Sequence, residues 1–350
     1  MKKVLIIFGG KSGEHEVSVK SAKSIEENID STLYQTTAMG ITQEGYWHSG
    51  STVASVIENG KVILPSNPSL IPDNQILAAD IIFPILHGPN GEDGTMQGLL
   101  ELLNAPYVGP RVLGSSLSMD KIVQKQVCAF YNIPQTKYVG FSSHEWKNIP
   151  AIIQKNINQQ LTYPLFVKPA NMGSSVGITK SNSQENLKES ILEALKYDHK
   201  IIVEEGINNI KEIEISVLGN HEPQASVCGE IIPNTEFYDY ETKYITDDIK
   251  TAIPADIPQK AAREIRETAV QTFKALDCIG LSRVDFFYQP QTGKHFLNEV
   301  NTLPGFTSIS MYPKLWAATG LTYTDLITKL LELAEERCQE KQQLSYEYQP

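Results

Sequence analysis

Paired cysteines are the first thing this sequence lacks. Its four, Cys128, Cys228, Cys278 and Cys338, stand singly along 350 residues with no CxxC spacing. That excludes a zinc ribbon or a disulfide-stapled scaffold and fits buried thiols in a reducing compartment. Positive charge is also in short supply: 30 Lys and Arg face 41 Asp and Glu, a net charge of −11, the wrong sign for a protein that coats a nucleic-acid backbone. Long apolar runs are missing as well. The best, Ile76 to Leu86, is broken by Asp80 and falls short of the ~18 residues that span a bilayer. The opening MKKVLIIFGG imitates a signal peptide, but its apolar run ends at Phe8, and two glycines and a charged loop follow where a cleavage site would lie. A cytoplasmic protein without nucleic-acid partners or membrane insertion is expected. No GxGxxG occurs, and Gly10-Lys11-Ser12 only imitates a P-loop, because Leu5 stands where that motif requires its first glycine.

What is present suits a globular enzyme. Hydrophobic residues make up 41% and charged residues 20%, so true cores are possible, and at ~150 residues per domain the length gives two or three of them. Lys3 to Phe8 is a continuous apolar run stopped by Gly9 and Gly10; after the loop KSGEHEVS, Val19, Ala22 and Ile25 recur at helical spacing. Strand, loop and helix return in ADIIFPIL, HGPNGEDG and TMQGLLELL. The first ~110 residues therefore read as a parallel α/β domain, with ligands expected at the carboxyl ends of its strands.

SSLSMDKIVQKQVCAFYNIP reads as one N-capped helix ended by Pro134 and leading into a second domain. PLFVKPANMGSSVGITK reads as two strands around a Gly/Ser loop, SQENLKESILEALKYD as a helix, and KIIVEEGI and EIEISVLG as further strands. From Glu230 to Pro254 the chain is irregular and carries Tyr238, Tyr240 and Tyr244, a length more typical of a lid than of a connector. The helical PQKAAREIRETAVQTFKALD, the hairpin LSRVDFFYQPQTGKHFLNEVN and the helical TDLITKLLELAEERCQE follow.

Chemistry concentrates in that hairpin. Arg283 and Asp285 are two apart on one strand, Glu299 and Asn301 two apart on the next, so each pair points to a single face. A turn centred on Thr292 sets Arg283 opposite Asn301 and Asp285 opposite Glu299, with Val284, Phe286 and Val300 on the other face. Asp, Glu and Asn form an all-oxygen set suited to magnesium, and Arg283 beside them suits a phosphoryl group or a developing oxyanion. An ordinary solvated face with a cross-strand ion pair explains the same residues equally well. The NTLPGFTS that follows, a Pro-Gly loop presenting backbone N–H groups, tips the balance toward a site.

Two loops add to it. Lys168 followed by NMGSSVG places a lysine under backbone and hydroxyl donors, the makings of a polyphosphate clamp. The first loop suits an ammonium group, since Glu14 and Glu16 would repel a polyanion, although Glu16 is read as complementing the helix dipole. His87, at a strand end, suits contact with a small anion or proton transfer. Glu92 and Asp93 read as helix-start carboxylates, and His15 has no partner at zinc-ligand spacing.

In this order, GGKSGEHEVS, HGPNGEDGTMQG, SMDK, VKPANMGSSVG, FYDYETKY, SRVD and NEVNTLPGFTS cover nearly the whole chain and closely resemble the D-alanine:D-alanine ligases of the ATP-grasp superfamily. The resemblance implies a three-domain α/β (α+β) ATP-grasp architecture: an N-terminal Rossmann-like parallel-sheet unit over 1–118, a central unit over 119–214 and a C-terminal unit over 215–350 with a lid loop at 230–254. It implies that Lys121, Lys168 and Ser175 bind ATP phosphates, that Lys243 reaches them from the lid, and that Glu204, Glu205 and Ile207 line the adenine with Glu212 at the ribose. Asp285, Glu299 and Asn301 match the family's magnesium ligands; two ions are implied, bridged by Glu299, with manganese an alternative and a monovalent cation left open. Arg283 and the N–H of Gly305 would stabilise the oxyanion. Glu14 would hold the ammonium of a first D-alanine, with His87 also at the substrate, and Ser310 and Met311 the carboxylate of a second. Tyr244 would bond Ser174, and Ser174 Glu14, tying lid to substrate.

The reaction so implied transfers the γ-phosphoryl group of ATP to one D-alanine carboxylate, after which the amine of a second D-alanine displaces phosphate, behind a lid that keeps water away. ATP and D-alanine are the implied partners, and a homodimer the implied assembly. Tyr244 fits the dipeptide-forming pattern, whereas depsipeptide-forming relatives depart from YETKY, which favours D-alanine over D-lactate. Two other readings stay open. A different ATP-dependent carboxylate:amine ligase need not keep GEHEVS or FYDYETKY, and a nucleotide-binding regulator without catalysis would usually lose a metal ligand or oxyanion donor.

Overall fold

In the computed structural model, which describes residues 1–232 and 250–345, the opening apolar run is a central strand. β1 (Lys2–Gly9) pairs in parallel with β2 (Tyr34–Ile41) on one side and with β6 (Ile81–Ile85) on the other, while β3 (Trp47–Gly50) runs antiparallel at the β2 edge. The two-stranded hairpin β4 (Ile57–Glu58) and β5 (Lys61–Val62) stands apart. Helix α1 (His15–Asn28) lays Val19, Ala22 and Ile25 on Val4, Ile6 and Phe8, and α2 (Thr95–Leu102) lays Met96 and Leu100 on Leu5 and Ile7. Burial on both faces is why β1 reads as an unbroken apolar run and not as an alternation. Gly9 ends it with φ +90°, and a Cβ there would meet the Ile41 carbonyl oxygen at 2.3 Å, so the turn into the first loop requires glycine.

The single helix expected after Gly114 is two, α3 (Val112–Met119) and α4 (Lys121–Phe130). Asp120 breaks the run with an extended backbone, and its carboxylate accepts from Ile122 and Val123 N–H at 3.1 and 3.2 Å. Capping two orphan donors is what an aspartate does better than continuing a helix. The break aims Lys121 from the first position of a new helix.

The second sheet takes the order β7 (Tyr138–Ser142), β10 (Lys200–Glu205), β8 (Leu165–Pro169), β9 (Thr179–Ser181), all antiparallel. Helices α5 (Ser143–Asn148), α6 (Pro150–Gln160) and α7 (Gln184–Ala194) cover one face, with Ile157, Leu187 and Ile191 against Val167, Ile201 and Val203. The third sheet centres on β11 (Lys211–Gly219), flanked by β12 (Gln224–Ala225), β13 (Gly229–Ile232) with β14 (Lys250–Ala252), and the hairpin of β15 (Gly280–Gln289) and β16 (Lys294–Asn301). Helix α8 (Gln259–Ala275) buries Ile265, Ala269 and Phe273 against it. The boundary expected at residue 214 falls inside β11.

Two further features differ from the sequence reading. The segment from Glu230 to Pro254 is not irregular throughout: its ends pair as strands, Glu230 opposite Ala252 and Ile232 opposite Lys250, and 233–249 lie outside the described residues. After α9 (Met311–Thr319), helix α10 (Tyr323–Gln342) returns to the first core, where Leu326, Ile327, Leu330 and Leu331 pack with Val4, Ile6, Phe8 and Phe83. Each such buried side chain is worth about 1.5–3 kcal/mol. Arg337 on this helix donates to the Tyr107 carbonyl, and Lys341 meets Glu101 at 2.6 Å. Among the described residues no helix is long and apolar enough to cross a membrane.

Candidate active site

The hairpin β15–β16 has the register that its polar pairs require. Arg283 lies opposite Asn301 and Asp285 opposite Glu299, while Val284, Phe286 and Val300 are in the core. The route differs from the expected one: Gln289 pairs with Lys294, which puts the turn half a residue before Thr292, and a shift between Asp285 and Phe286 restores the register by leaving Asn298 as the extra residue. Arg283 clasps Asp285 through Nε and Nη2 at 2.8 and 2.7 Å and lies 3.1 Å from Glu214 on β11. Burial alone would lower the guanidinium's pKa, but Asp285 and Glu214 hold it well above its ordinary value. Asn301 Nδ2 donates to Asp285 Oδ2 at 3.0 Å.

Among the described residues no cluster of three His, Cys, Asp or Glu side chains has a metal-holding arrangement. The hairpin offers two carboxylates and one amide oxygen on one face. That set fits a hard divalent cation, which takes few protein ligands and completes its shell with water and phosphate oxygens.

Lysines converge on this face from helix α4 and from strand β8 of the second sheet. Lys121 Nζ donates to the Met172 carbonyl of the Gly/Ser loop at 2.7 Å and stands 4.0 Å from Glu299. Lys168 Nζ meets Glu204 at 2.9 Å and Asn298 Oδ1 at 3.5 Å. Glu204 thus turns its carboxylate to lysines, of which the second, Lys125 at 3.3 Å, went unnoticed in the sequence. Glu205 accepts the Thr162 N–H at 2.8 Å. Ile207 is half-buried after β10, and Glu212 is on β11 opposite Ile231 of β13. In the Gly/Ser loop Ser174 and Ser175 have φ +50° and +59°, a conformation unusual outside glycine that concentrates at ligand clamps.

Glu14 joins the first loop to that clamp. Its carboxylate accepts a short hydrogen bond from Ser174 Oγ, and a Cβ on Gly88 or Gly173 would lie 2.8 or 3.0 Å from Glu14 Oε2. Only glycines on both sides let the three loops close around the carboxylate. Glu16 is exposed, 3.6 Å from Lys61. His15 is buried and structural, with Nδ1 2.9 Å from the Gly10 carbonyl and Nε2 accepting the Val62 N–H at 3.1 Å.

His87 is buried with Nδ1 2.8 Å from the Leu303 carbonyl and Nε2 3.3 Å from Ser21 Oγ. Burial lowers its pKa, so the ring is neutral and donates from Nδ1. Asp93 is the helix-start carboxylate, accepting from Thr95 N–H at 2.9 Å. Glu92 is not. Its side chain is half-buried and bridges two loops, accepting from the N–H groups of Gly88 at 2.8 Å and Leu303 at 3.0 Å. Burial, with Glu14 nearby, pushes this carboxyl up to about 8. A carboxyl raised on folding favours the folded state while it is protonated, so that contribution fades as pH climbs from the ordinary carboxylate range toward 8. Thermal unfolding of the metal-free protein at pH 6 and pH 9 should therefore show a smaller alkaline loss in Glu92→Gln than in the parent; an equal loss would disprove it.

The loop after β16 completes the site. Ser310 stands at the N-cap position of α9 but turns its Oγ away from the helix to accept the Thr307 N–H at 3.0 Å, and a Cβ on Gly305 would lie 3.0 Å from that Oγ. Met311 packs its side chain into a small core with Ile231 and Leu315, which leaves the start of α9 to offer backbone N–H groups to an anion. Lys243 and Tyr244, with Tyr238 and Tyr240, lie outside the described residues.

A family model described as the D-ala D-ala ligase N-terminus matches residues 3–110, and one described as its C-terminus matches residues 127–332. This chain belongs to the D-ala D-ala ligase family. Family relatives include the D-alanine–D-alanine ligases of Clostridium acetobutylicum, 48% identical over 96% of this chain and 98% of that one, and of Geobacillus thermodenitrificans, 46% identical over 99% of each. Among solved structures the chain is similar to the D-alanine-D-alanine ligase from Coxiella burnetii, with TM-score 0.80, 33% identity and coverage of 98% of this chain and 97% of that one. It is also similar to the VanG D-Ala:D-Ser ligase from Enterococcus faecalis, with TM-score 0.82, 38% identity and coverage of 95% and 99%. The fold is the ATP-grasp, and with the family come dependence on ATP and use of a divalent metal.

Proposed function

We propose that this chain joins two D-alanine molecules into D-alanyl-D-alanine for peptidoglycan precursors, with ATP converted to ADP and phosphate. The observation that carries this reading is the Ser174 to Glu14 hydrogen bond, which sets an ammonium-binding carboxylate against the phosphate clamp. Glu14 holds the first D-alanine by its ammonium, with His87 beside it as a neutral hydrogen-bonding wall. Lys121, Lys168, Ser175 and Lys243 hold the phosphates, while Glu204, Glu205, Ile207 and Glu212 face the nucleoside. The first D-alanine's carboxylate oxygen bonds to the γ-phosphorus as the bond to the β-phosphate oxygen breaks, giving D-alanyl phosphate and ADP. Asp285, Glu299 and Asn301 would hold the divalent metal, two magnesium ions or manganese in their place, whose charge would neutralise the transferring group.

The second D-alanine is held by its carboxylate at the N–H groups of Ser310 and Met311. Its amine, once deprotonated, attacks the acyl carbon; Arg283 and the Gly305 N–H take the charge on the oxygen, and phosphate leaves with the C–O bond pair. Tyr244 closes the lid onto Ser174. Three units over 1–118, 119–214 and 215–350, a cytoplasmic location, a homodimer and a monovalent cation belong to the same reading.

A second reading, D-serine as the second substrate, is favoured by the 38% identity to a D-Ala:D-Ser ligase. Phosphate release screened with D-alanine alone and with D-alanine plus D-serine, D-lactate or L-alanine separates them. D-alanine alone should support turnover, with kcat/KM for it as second substrate at least about tenfold above that for D-serine. Faster joining of D-serine or D-lactate at neutral pH would overturn the dipeptide reading.

A further inference from the structure

Lys125 has no role in the mechanism above, yet it is the most deeply buried cation near the phosphate-facing lysines. It sits one turn after Lys121 on α4, with 1% of its side chain exposed. Its ammonium donates to Thr136 Oγ1 at 2.9 Å, lies 3.3 Å from Glu204 Oε1, and is 5.6 Å from the centre of the Tyr138 ring. The other oxygen of Glu204 receives Lys168 at 2.9 Å. Strands β8 and β10 set Lys168 opposite Ile202 and Glu204 opposite Phe166, so lysine and glutamate share a face and meet on the diagonal.

The charge balance of this cluster decides what Lys168 is able to do. A buried carboxylate with one cation holds that cation tightly, because separating the two would leave a charge in a medium that solvates it poorly. Two cations on one carboxylate leave a net positive charge, which a phosphate neutralises. We infer that Lys125 is a positioning residue for nucleotide binding: it supplies the permanent counter-charge of Glu204, so that Lys168 is free to turn its ammonium to the phosphates of ATP. Thr136 fixes the Lys125 ammonium in turn. The inference rests on the ligase reading, and it predicts a defect confined to the nucleotide.

The test uses the full chain, with ADP release for turnover and calorimetry of ADP with magnesium for binding. Lys125→Met should raise KM for ATP and Kd for ADP by about tenfold, with KM for D-alanine within about twofold of the parent. Thr136→Val, which removes only the hydrogen bond to Lys125, should raise both nucleotide constants by about threefold. In a Glu204→Gln background, where no carboxylate competes for Lys168, adding Lys125→Met should change KM for ATP by less than about twofold. A purely structural lysine would lower the melting temperature and the active fraction while leaving nucleotide constants unchanged in both single variants; that result would overturn the inference. An undiminished Lys125→Met effect in the Glu204→Gln background would overturn it too. If Lys125→Met does not fold, Thr136→Val decides. A parent protein that releases no ADP with D-alanine would refute the ligase reading, while ADP calorimetry on the same variants would still judge Lys125.

Discussion

Asp285→Asn should lower turnover by about 10³-fold, the equivalent of several kcal/mol of lost charge stabilisation on the transferring phosphoryl group. The substitution is nearly isosteric, and an amide oxygen in the place of Oδ2 still accepts from Arg283 Nη2 and Asn301 Nδ2, while Arg283 keeps Glu214 as a counter-charge, so the melting temperature should fall by only a few degrees. Two measurements separate the effects: the magnesium dependence of phosphate release at saturating ATP, and thermal unfolding without metal. Raising magnesium should recover part of the activity, since the remaining oxygens of Glu299 and Asn301 still form a weak site. A variant with parent-like turnover at ordinary magnesium would remove Asp285 from the metal set.

Arg283→Ala should cost about 10²–10³-fold in kcat, the scale seen when one oxyanion donor is removed. It should also destabilise the fold by about 3–5 kcal/mol, because Asp285 and Glu214 lose the cation buried between them. Arg283→Lys tells the two roles apart. A lysine restores the charge, and with it most of the stability, but it lacks the planar fork that grips Asp285 at 2.7 and 2.8 Å and keeps further N–H groups for the proposed oxyanion. Stability should return in the lysine variant while kcat stays low. Recovery of both would make Arg283 a purely electrostatic support.

The shared face of the hairpin was legible because a strand's alternation of period two sorts Arg283, Asp285, Glu299 and Asn301 together whatever the details of the turn. The details still mattered. The turn is off by half a residue, and Asn298, inserted as an extra residue, brings the register back and ends near Lys168; nothing in local spacing announces such a bulge. The break at Asp120 was hidden for a different reason, since an aspartate inside an apolar-periodic run is ambiguous between a solvated helix position and a cap.

Lys125 carries no signal in the sequence and Glu92 carries a misleading one, because charge in a sequence is read as exposure. Lys125 shares a helix face with Lys121, which the spacing displays, but that the face turns inward onto Glu204 depends on a pairing of β8 and β10, strands that begin 40 and 75 residues further along the chain. Glu92 sits next to a true helix-start aspartate and looks like its twin. Only the return of the chain at Leu303 makes it a bridge.

Helix α10 sets a condition on synthesis. The first core includes Leu326, Ile327, Leu330 and Leu331, yet a ribosome delivers them more than 200 residues after the sheet they cover. Helix α1 covers part of the face of Val4, Ile6 and Phe8 at once, but at about 5–20 residues per second the rest of that core waits on the order of ten seconds to a minute for α10. During that interval part of the nascent N-terminal core stays exposed. The earliest part of this chain to be made is among the last to be finished.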